Sequence, residues 1–244
     1  MSAGVGTVDA GELAVKYGPK APKGTPRAGV LHGHGAGGDA TSAISNYGLQ
    51  GAIARRLAML GCVGLSTDLG GEQTWANNTA MARMTSGYNY LTATMGAPSP
   101  VVLAGGSMGG LNVLAWAAAN RSKVSCVVAQ LPVLNVTDIH TNNRGGLTST
   151  INTAWSPSGW SEAANGATRN PTTLAAAGAF AGLPILLFYG DSDTLCTPAQ
   201  VAAFAASVPT CQTISVPGDH AETTLRKVAT DYAGTIASFV SAHI

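Results

Sequence analysis

Ser107 has the setting that most plainly suggests chemistry. It stands in Gly105-Gly106-Ser107-Met108-Gly109-Gly110, between the apolar run Val101–Ala104 and a helical stretch through Ala119. A strand that turns directly into a helix at Gly-x-Ser-x-Gly strains the serine backbone and holds its hydroxyl out at the sheet's edge. Small residues two positions to either side keep strand and helix from colliding. The N–H groups that follow, beginning with Met108, stand at a helix N-terminus and point toward developing negative charge. A serine so held becomes a nucleophile when a base takes its proton and an acid orients that base. The chain offers His32, His34, His140, His220 and His243 as bases, and Asp138, Asp191, Asp193 and Asp219 as acids. It has no Gly-x-x-x-x-Gly-Lys-Ser/Thr, so a nucleotide P-loop has no support. His32-x-His34 lacks nearby carboxylate or cysteine ligands, and cysteines 62, 126, 196 and 211 match no zinc or redox spacing. No metal site is expected.

Elements that could position these residues follow one another regularly. Val5, Val8, Leu13 and Val15 alternate loosely around Gly11, as in an N-terminal hairpin, and the Pro- and Lys-rich Gly18–Pro26 reads as a surface linker. Short apolar runs at Ala28–Leu31, Val63–Thr67, Val101–Ala104, Val124–Ala129, Ile185–Tyr189 and Gln212–Val216 then read as strands. Between them lie helical patterns at Ile44–Leu60, Ala76–Met95 and Ala199–Val208, and a closing helix is expected across His220–Ala242. Strands separated by helices imply crossovers, hence an α/β architecture with a mainly parallel sheet. Leu131–Asn170 breaks the rhythm with no clear strand, and is expected to be a cap-like excursion over the site. The reading is one domain over residues 1–244.

Only 10% of the residues are charged, against a usual value of about a quarter, and the formal net charge is +1. That balance argues against nucleic acid or an anionic membrane surface as a main partner. An apolar content of 45% argues against disorder. No stretch approaches the roughly 18 apolar residues of a membrane span, and no signal peptide is visible in Met1–Lys16.

His32-Gly33-His34-Gly35, Asp68-Leu69-Gly70-Gly71, Gly105–Gly110, Gly190–Asp193 and Gly218-Asp219-His220 each follow a successive strand. In that order they resemble the α/β-hydrolase superfamily, serine esterases and lipases among them, over nearly the whole chain. The resemblance implies a catalytic triad of Ser107, Asp193 and His220, in the chain order described for that fold. Asp193 is chosen over Asp191 because the superfamily pattern is Gly-x-x-Asp, which leaves Asp191 to cap the loop. The resemblance also implies an oxyanion hole from the backbone N–H groups of Met108 and His34, with Gly35 or Ala36 as alternates to His34. His32 and His34 then contribute backbone and packing rather than a base. No cofactor is required. Cys196 and Cys211 would fall at opposite ends of neighbouring strands, and Cys62 and Cys126 on strands that do not pair, so four free thiols are expected.

The excursion carries only Asp138, Arg144, Glu162 and Arg169 as charges, beside Trp155 and Trp160. It implies a neutral or lipid-like ester as substrate, with the two tryptophans either lining the pocket or anchoring the loop. Esterase, lipase, polyester hydrolase and amidase share one triad. The alternative is a binding or structural module on the same scaffold. Low charge with abundant Ala, Gly and Thr would suit a component of a larger assembly such as a phage particle.

Overall fold

The computed structural model describes residues 1–8, 12–20, 24–42 and 51–244. The strands are β1 (Ser2–Thr7), β2 (Leu13–Gly18), β3 (Gly29–Gly33), β4 (Val63–Thr67), β5 (Val101–Gly106), β6 (Val124–Gln130), β7 (Ile185–Gly190) and β8 (Cys211–Val216). They form one sheet of 8 strands in the order β1-β2-β4-β3-β5-β6-β7-β8. β1 and β2 join antiparallel, and β2 meets β4 antiparallel; every pairing from β4 onward is parallel. Because β4 lies on one side of β3 and β5 on the other, the chain changes direction across the β3/β5 pair. The crevice beyond the carboxyl ends of such a pair is where this kind of sheet takes ligands.

The helices are α1 (Gly51–Met59), α2 (Asn78–Asn89), α3 (Met108–Ala119), α4 (Val136–Thr141), α5 (Thr148–Ala154), α6 (Ala167–Arg169), α7 (Pro171–Ala176), α8 (Pro198–Ser207), α9 (Glu222–Asp231) and α10 (Ala233–Ala242). Strand alternation divides the apolar side chains between two cores. Val101 and Leu103 of β5, with Ile185 and Leu187 of β7, face α2, α3, α7 and α8 through Met84, Trp116, Leu174 and Phe204. Val102, Ala104, Leu186 and Phe188 face α1, α9 and α10 through Ile53, Leu57, Val228 and Ile236. Both sheet faces are covered, which explains why the central strands read as continuous apolar runs.

Several expectations need adjusting. The closing helix over His220–Ala242 is two helices, α9 and α10, broken at Tyr232, which has left the helical region with φ −111° and ψ 8°. His220 precedes both. The helix expected at Ile44–Leu60 is described only as α1, and residues 43–50 lie outside the described residues, as does the hairpin turn at 9–11. The 131–170 excursion contains no strand; it is built of α4, α5, α6 and short helical turns. A third apolar cluster fastens it down, joining Val133, Val136, Ile139, Ile151 and Trp160 to Trp75, Met108 and Leu111.

Candidate active site

β5 ends and α3 begins within one residue, and that residue is Ser107, with φ 52° and ψ −122°. A non-glycine residue held there is strained, and strain of this kind persists only where the surroundings over-determine it. Those surroundings are backbone. Ser107 N–H donates to Gln130 O at 2.9 Å, while its carbonyl accepts from Leu111 at 3.2 Å and from Val133 at 3.1 Å. The flanking glycines permit the approach: a Cβ on Gly105 would sit 2.4 Å from Gly109 O, and one on Gly109 would sit 2.1 Å from Gly33 O. Spacing predicted small residues there, and the contacts require them to be glycine.

The strain aims Ser107 Oγ at the loop after β8, where His220 Nε2 lies 2.8 Å away. On its other side, His220 Nδ1 lies 2.7 Å from Asp193 Oδ2. The Asp193 side chain is fully buried and that of His220 is 15% exposed, so the carboxylate is shielded while the ring stays reachable. Asp193 Oδ1 is held by the N–H groups of Leu195 at 2.8 Å and Cys196 at 2.7 Å. A carboxylate with both oxygens engaged keeps one face of the imidazole fixed, which leaves Nε2 free to accept the serine proton.

The neighbouring Asp191 takes no part in this chain. Its Oδ1 accepts from Gly218 N at 3.0 Å and from Ser192 Oγ at 2.7 Å. The Gly218 N–H, then the Ser192 hydroxyl, hold its carboxyl below the usual carboxylate range. Asp191 therefore ties the loop after β7 to the loop after β8, which keeps Asp193 and His220 in reach of each other. Asp138 pairs with Arg144 on the excursion and accepts from Gln200 of α8, and Asp219 is exposed. Neither is hydrogen-bonded to His220.

On the opposite side, the loop after β3 brings Gly35 against Ser107: a Cβ on Gly35 would lie 3.7 Å from Ser107 Cβ. The His34 ring lies 2.9 Å from Gly35 O through Nδ1 and 2.8 Å from Asp68 O through Nε2, so it is occupied in shaping this loop. His32 Nε2 lies 2.9 Å from Tyr17 Oη inside the core. Met108 is the first residue of α3, so its N–H has no acceptor within the helix.

Trp155 and Trp160 stack edge to face with centroids 5.2 Å apart. Trp155 Nε1 donates to Trp75 O at 3.1 Å and Trp160 Nε1 to Thr137 Oγ1 at 2.9 Å. Trp160 is buried. Both indoles are thus engaged in seating the excursion on the core; Trp155 also lines an open groove with Asn77, Asn78 and Asn165.

One contributor escaped the sequence reading. Asn112, fully buried in α3, accepts from Ala76 N at 2.8 Å and donates to Thr74 Oγ1 at 3.2 Å. It fixes the loop whose Trp75 and Ala76 take positive φ values of 44° and 56°. Trp75 N–H reaches Met108 Sδ at 3.4 Å, so this loop abuts the residue after Ser107. The available signal was a lone amide in a helix otherwise made of Met, Gly, Leu, Val, Ala and Trp. A second is Cys196: one ligand atom each from Asp193, Cys196 and His220 lies within 4.8 Å of the other two. Burial, then the nearby Asp193 carboxylate, push the Cys196 thiol well up from its ordinary value.

Comparison with known proteins agrees with this architecture. Among solved structures, the chain is similar to fluorophosphonate-binding serine hydrolase F of Staphylococcus aureus, with a TM-score of 0.72, 15% identity and 97% of each chain covered. It is similar to Est1E from Butyrivibrio proteoclasticus, with a TM-score of 0.72, 16% identity and 98% of each chain covered. A Pyrococcus furiosus esterase gives a TM-score of 0.69 at 15% identity, covering 99% of this chain and 91% of the other. Identities this low speak for the fold. No curated protein sequence matches the chain significantly. The sequence profile of the prolyl oligopeptidase family, however, matches residues 71–213, a span that takes in Ser107 and Asp193 and stops short of His220. With more than half of its residues inside that match, the chain belongs to the prolyl oligopeptidase family of serine hydrolases, within the α/β-hydrolase superfamily.

Proposed function

We propose that the protein hydrolyses a carboxylic ester through an acyl-enzyme on Ser107, with the whole chain serving as one catalytic domain. The observation that carries this reading is the continuous hydrogen-bonded path from Ser107 Oγ through His220 to Asp193, with steps of 2.8 and 2.7 Å. His220 Nε2 takes the serine proton as Oγ attacks the carbonyl carbon, and Asp193 stabilises the imidazolium that results. The N–H groups of Met108 and His34, with Gly35 and Ala36 as alternates, receive the oxyanion. The imidazolium returns its proton to the leaving alkoxide. Water, deprotonated by the same ring, then attacks the acyl carbonyl and frees Ser107.

A neutral acyl group suits the excursion above the site. Its charges are held by partners within the protein: Arg144 pairs with Asp138, Glu162 accepts from Thr137, Thr173 and Asn170, and Arg169 donates to Asn78. Each of these four charged side chains is thereby already hydrogen-bonded within the protein. The family match supports a second reading, cleavage of a small peptide amide by the same residues. Turnover of p-nitrophenyl esters against the matching p-nitroanilides separates the two. The ester reading expects faster ester turnover, with neutral acyl chains preferred over a glutarate half-ester. Ser107→Ala should lower turnover by roughly ten-thousand-fold. Wild-type turnover in that variant would overturn the mechanism, and faster anilide cleavage would shift the substrate class to peptides.

A further inference from the structure

Cys196 has no part in the acyl-transfer path, yet it is placed against it. It lies three residues after Asp193, and its N–H bond to Asp193 Oδ1, 2.7 Å long, folds the loop so that the sulfur joins the carboxylate and the imidazole. Sulfur, carboxylate oxygen and imidazole nitrogen form a donor set suited to a borderline-soft cation and ill-suited to Mg²⁺ or Ca²⁺, which favour oxygen alone. Cys196 and Asp193 are 1% and 2% exposed, so little water competes for the position, while the 15% exposure of the His220 side chain leaves a way in.

We propose that Asp193, Cys196 and His220 form an inhibitory site for a divalent cation of the Zn²⁺ type. Three bonds form, to Asp193 Oδ2, Cys196 Sγ and His220 Nδ1, and water takes the fourth corner. The Sγ proton leaves to solvent, while the ring gives up its Nδ1 proton and takes one up at Nε2, so the imidazole stays neutral and the site gains one net positive charge. With metal bonds of about 2 Å, the 2.7 Å gap between Nδ1 and Oδ2 must open by a few tenths of an ångström, a small movement for a loop side chain. The consequence is large, because the ion replaces the proton through which Asp193 orients the ring. With Nδ1 bound to the ion and the ring proton on Nε2, that nitrogen cannot accept the serine proton. The inhibitory effect rests on the triad reading above; the binding does not.

Two readouts keep these apart. Zn²⁺ added to the protein should suppress p-nitrophenyl ester turnover, and a chelator should restore it. In Cys196→Ser and Cys196→Ala, inhibition relative to each variant's own metal-free rate should need at least about tenfold more Zn²⁺. Co²⁺ should give a thiolate-to-metal charge-transfer band in the wild type and in Cys211→Ser, and none in Cys196→Ser. A wild type without that band overturns the proposal whatever the variants do. Zn²⁺ inhibition of undiminished potency in Cys196→Ser overturns it as well. A band in a protein that hydrolyses no ester supports the cation site while refuting the triad reading.

Discussion

Two aspartates two positions apart do different work because their surroundings differ. Asp193 is buried with both oxygens engaged, one by His220 and one by backbone N–H groups. Asp191 is exposed and bridges two loops. Asp193→Asn should therefore cut turnover by roughly ten-thousand-fold, since the amide no longer supports the required tautomer. Asp191→Asn should cost at most about tenfold, through looser loops rather than lost chemistry. Steady-state kinetics of both variants checks this, and a reversed order would move the acid to Asp191. Motif order made legible in the sequence that Ser107, Asp193 and His220 could meet, and the fold brings their side chains into one hydrogen-bonded line. Asn112 was not legible, because its partner Ala76 lies 36 residues away and nothing local marks the pairing. The two tryptophans were ambiguous for a related reason: an indole is equally at home on a pocket wall and in a core, and only their donor partners distinguish the two.

At the scale of elements, β3 and α3 approach through glycine alone. Gly109→Ala would set a Cβ 2.1 Å from Gly33 O, and backbone cannot yield as a flexible side chain can. The cost should exceed the ~3 kcal/mol usual for overpacking, and denaturant unfolding should show either that loss or no folded protein. The excursion depends on Glu162, whose carboxylate joins Thr137 of α4 to Thr173 of α7 and to Asn170. Partial burial would raise its pKa, but the three hydrogen bonds outweigh that and hold it below its usual value of 4.5. A carboxyl whose folded pKa is depressed adds stability above the unfolded value and loses it as pH falls through the folded one. Melting of the wild type should therefore drop faster below pH 4.5 than that of Glu162→Gln, which should itself be about 1–3 kcal/mol less stable at pH 7. Parallel melting curves from pH 7 to 3 would contradict this. The excursion's lack of strand was legible from its Asn, Gly and Pro content. Its helices were not, since the 6 residues of α4, 7 of α5 and 3 of α6 are too few to display a period. The break at Tyr232 escaped for the opposite reason: the apolar spacing of α10 continues that of α9 closely enough to read as one helix.

Taken whole, the molecule presents little charge outside and four thiols mostly inside. Burial pushes Cys62 up to about 11 and both Cys126 and Cys211 up to about 12. Native protein should thus react slowly with Ellman's reagent at pH 8, and should release all 4 thiols on denaturation without reductant. A count of two would mean a disulfide. The scarcity of charge, the least informative feature of the sequence alone, becomes specific once the charges of the excursion are found paired or hydrogen-bonded within the protein. No helix among the described residues is long and apolar enough to cross a membrane. The strand order was legible in outline because buried parallel strands announce themselves as apolar runs between helices. The placement of β4 beyond β3 was not, because it depends on crossovers that local sequence does not encode.

The central claim is that Ser107 is a nucleophile activated by His220. Incubation with a fluorophosphonate followed by intact-mass and peptide mapping tests it most directly. The wild type should take up a single adduct on the peptide containing Ser107, His220→Ala should react at least about a thousandfold more slowly, and Ser107→Ala should remain unmodified. Equal labelling of wild type and Ser107→Ala would contradict the account, and so would an inert wild type.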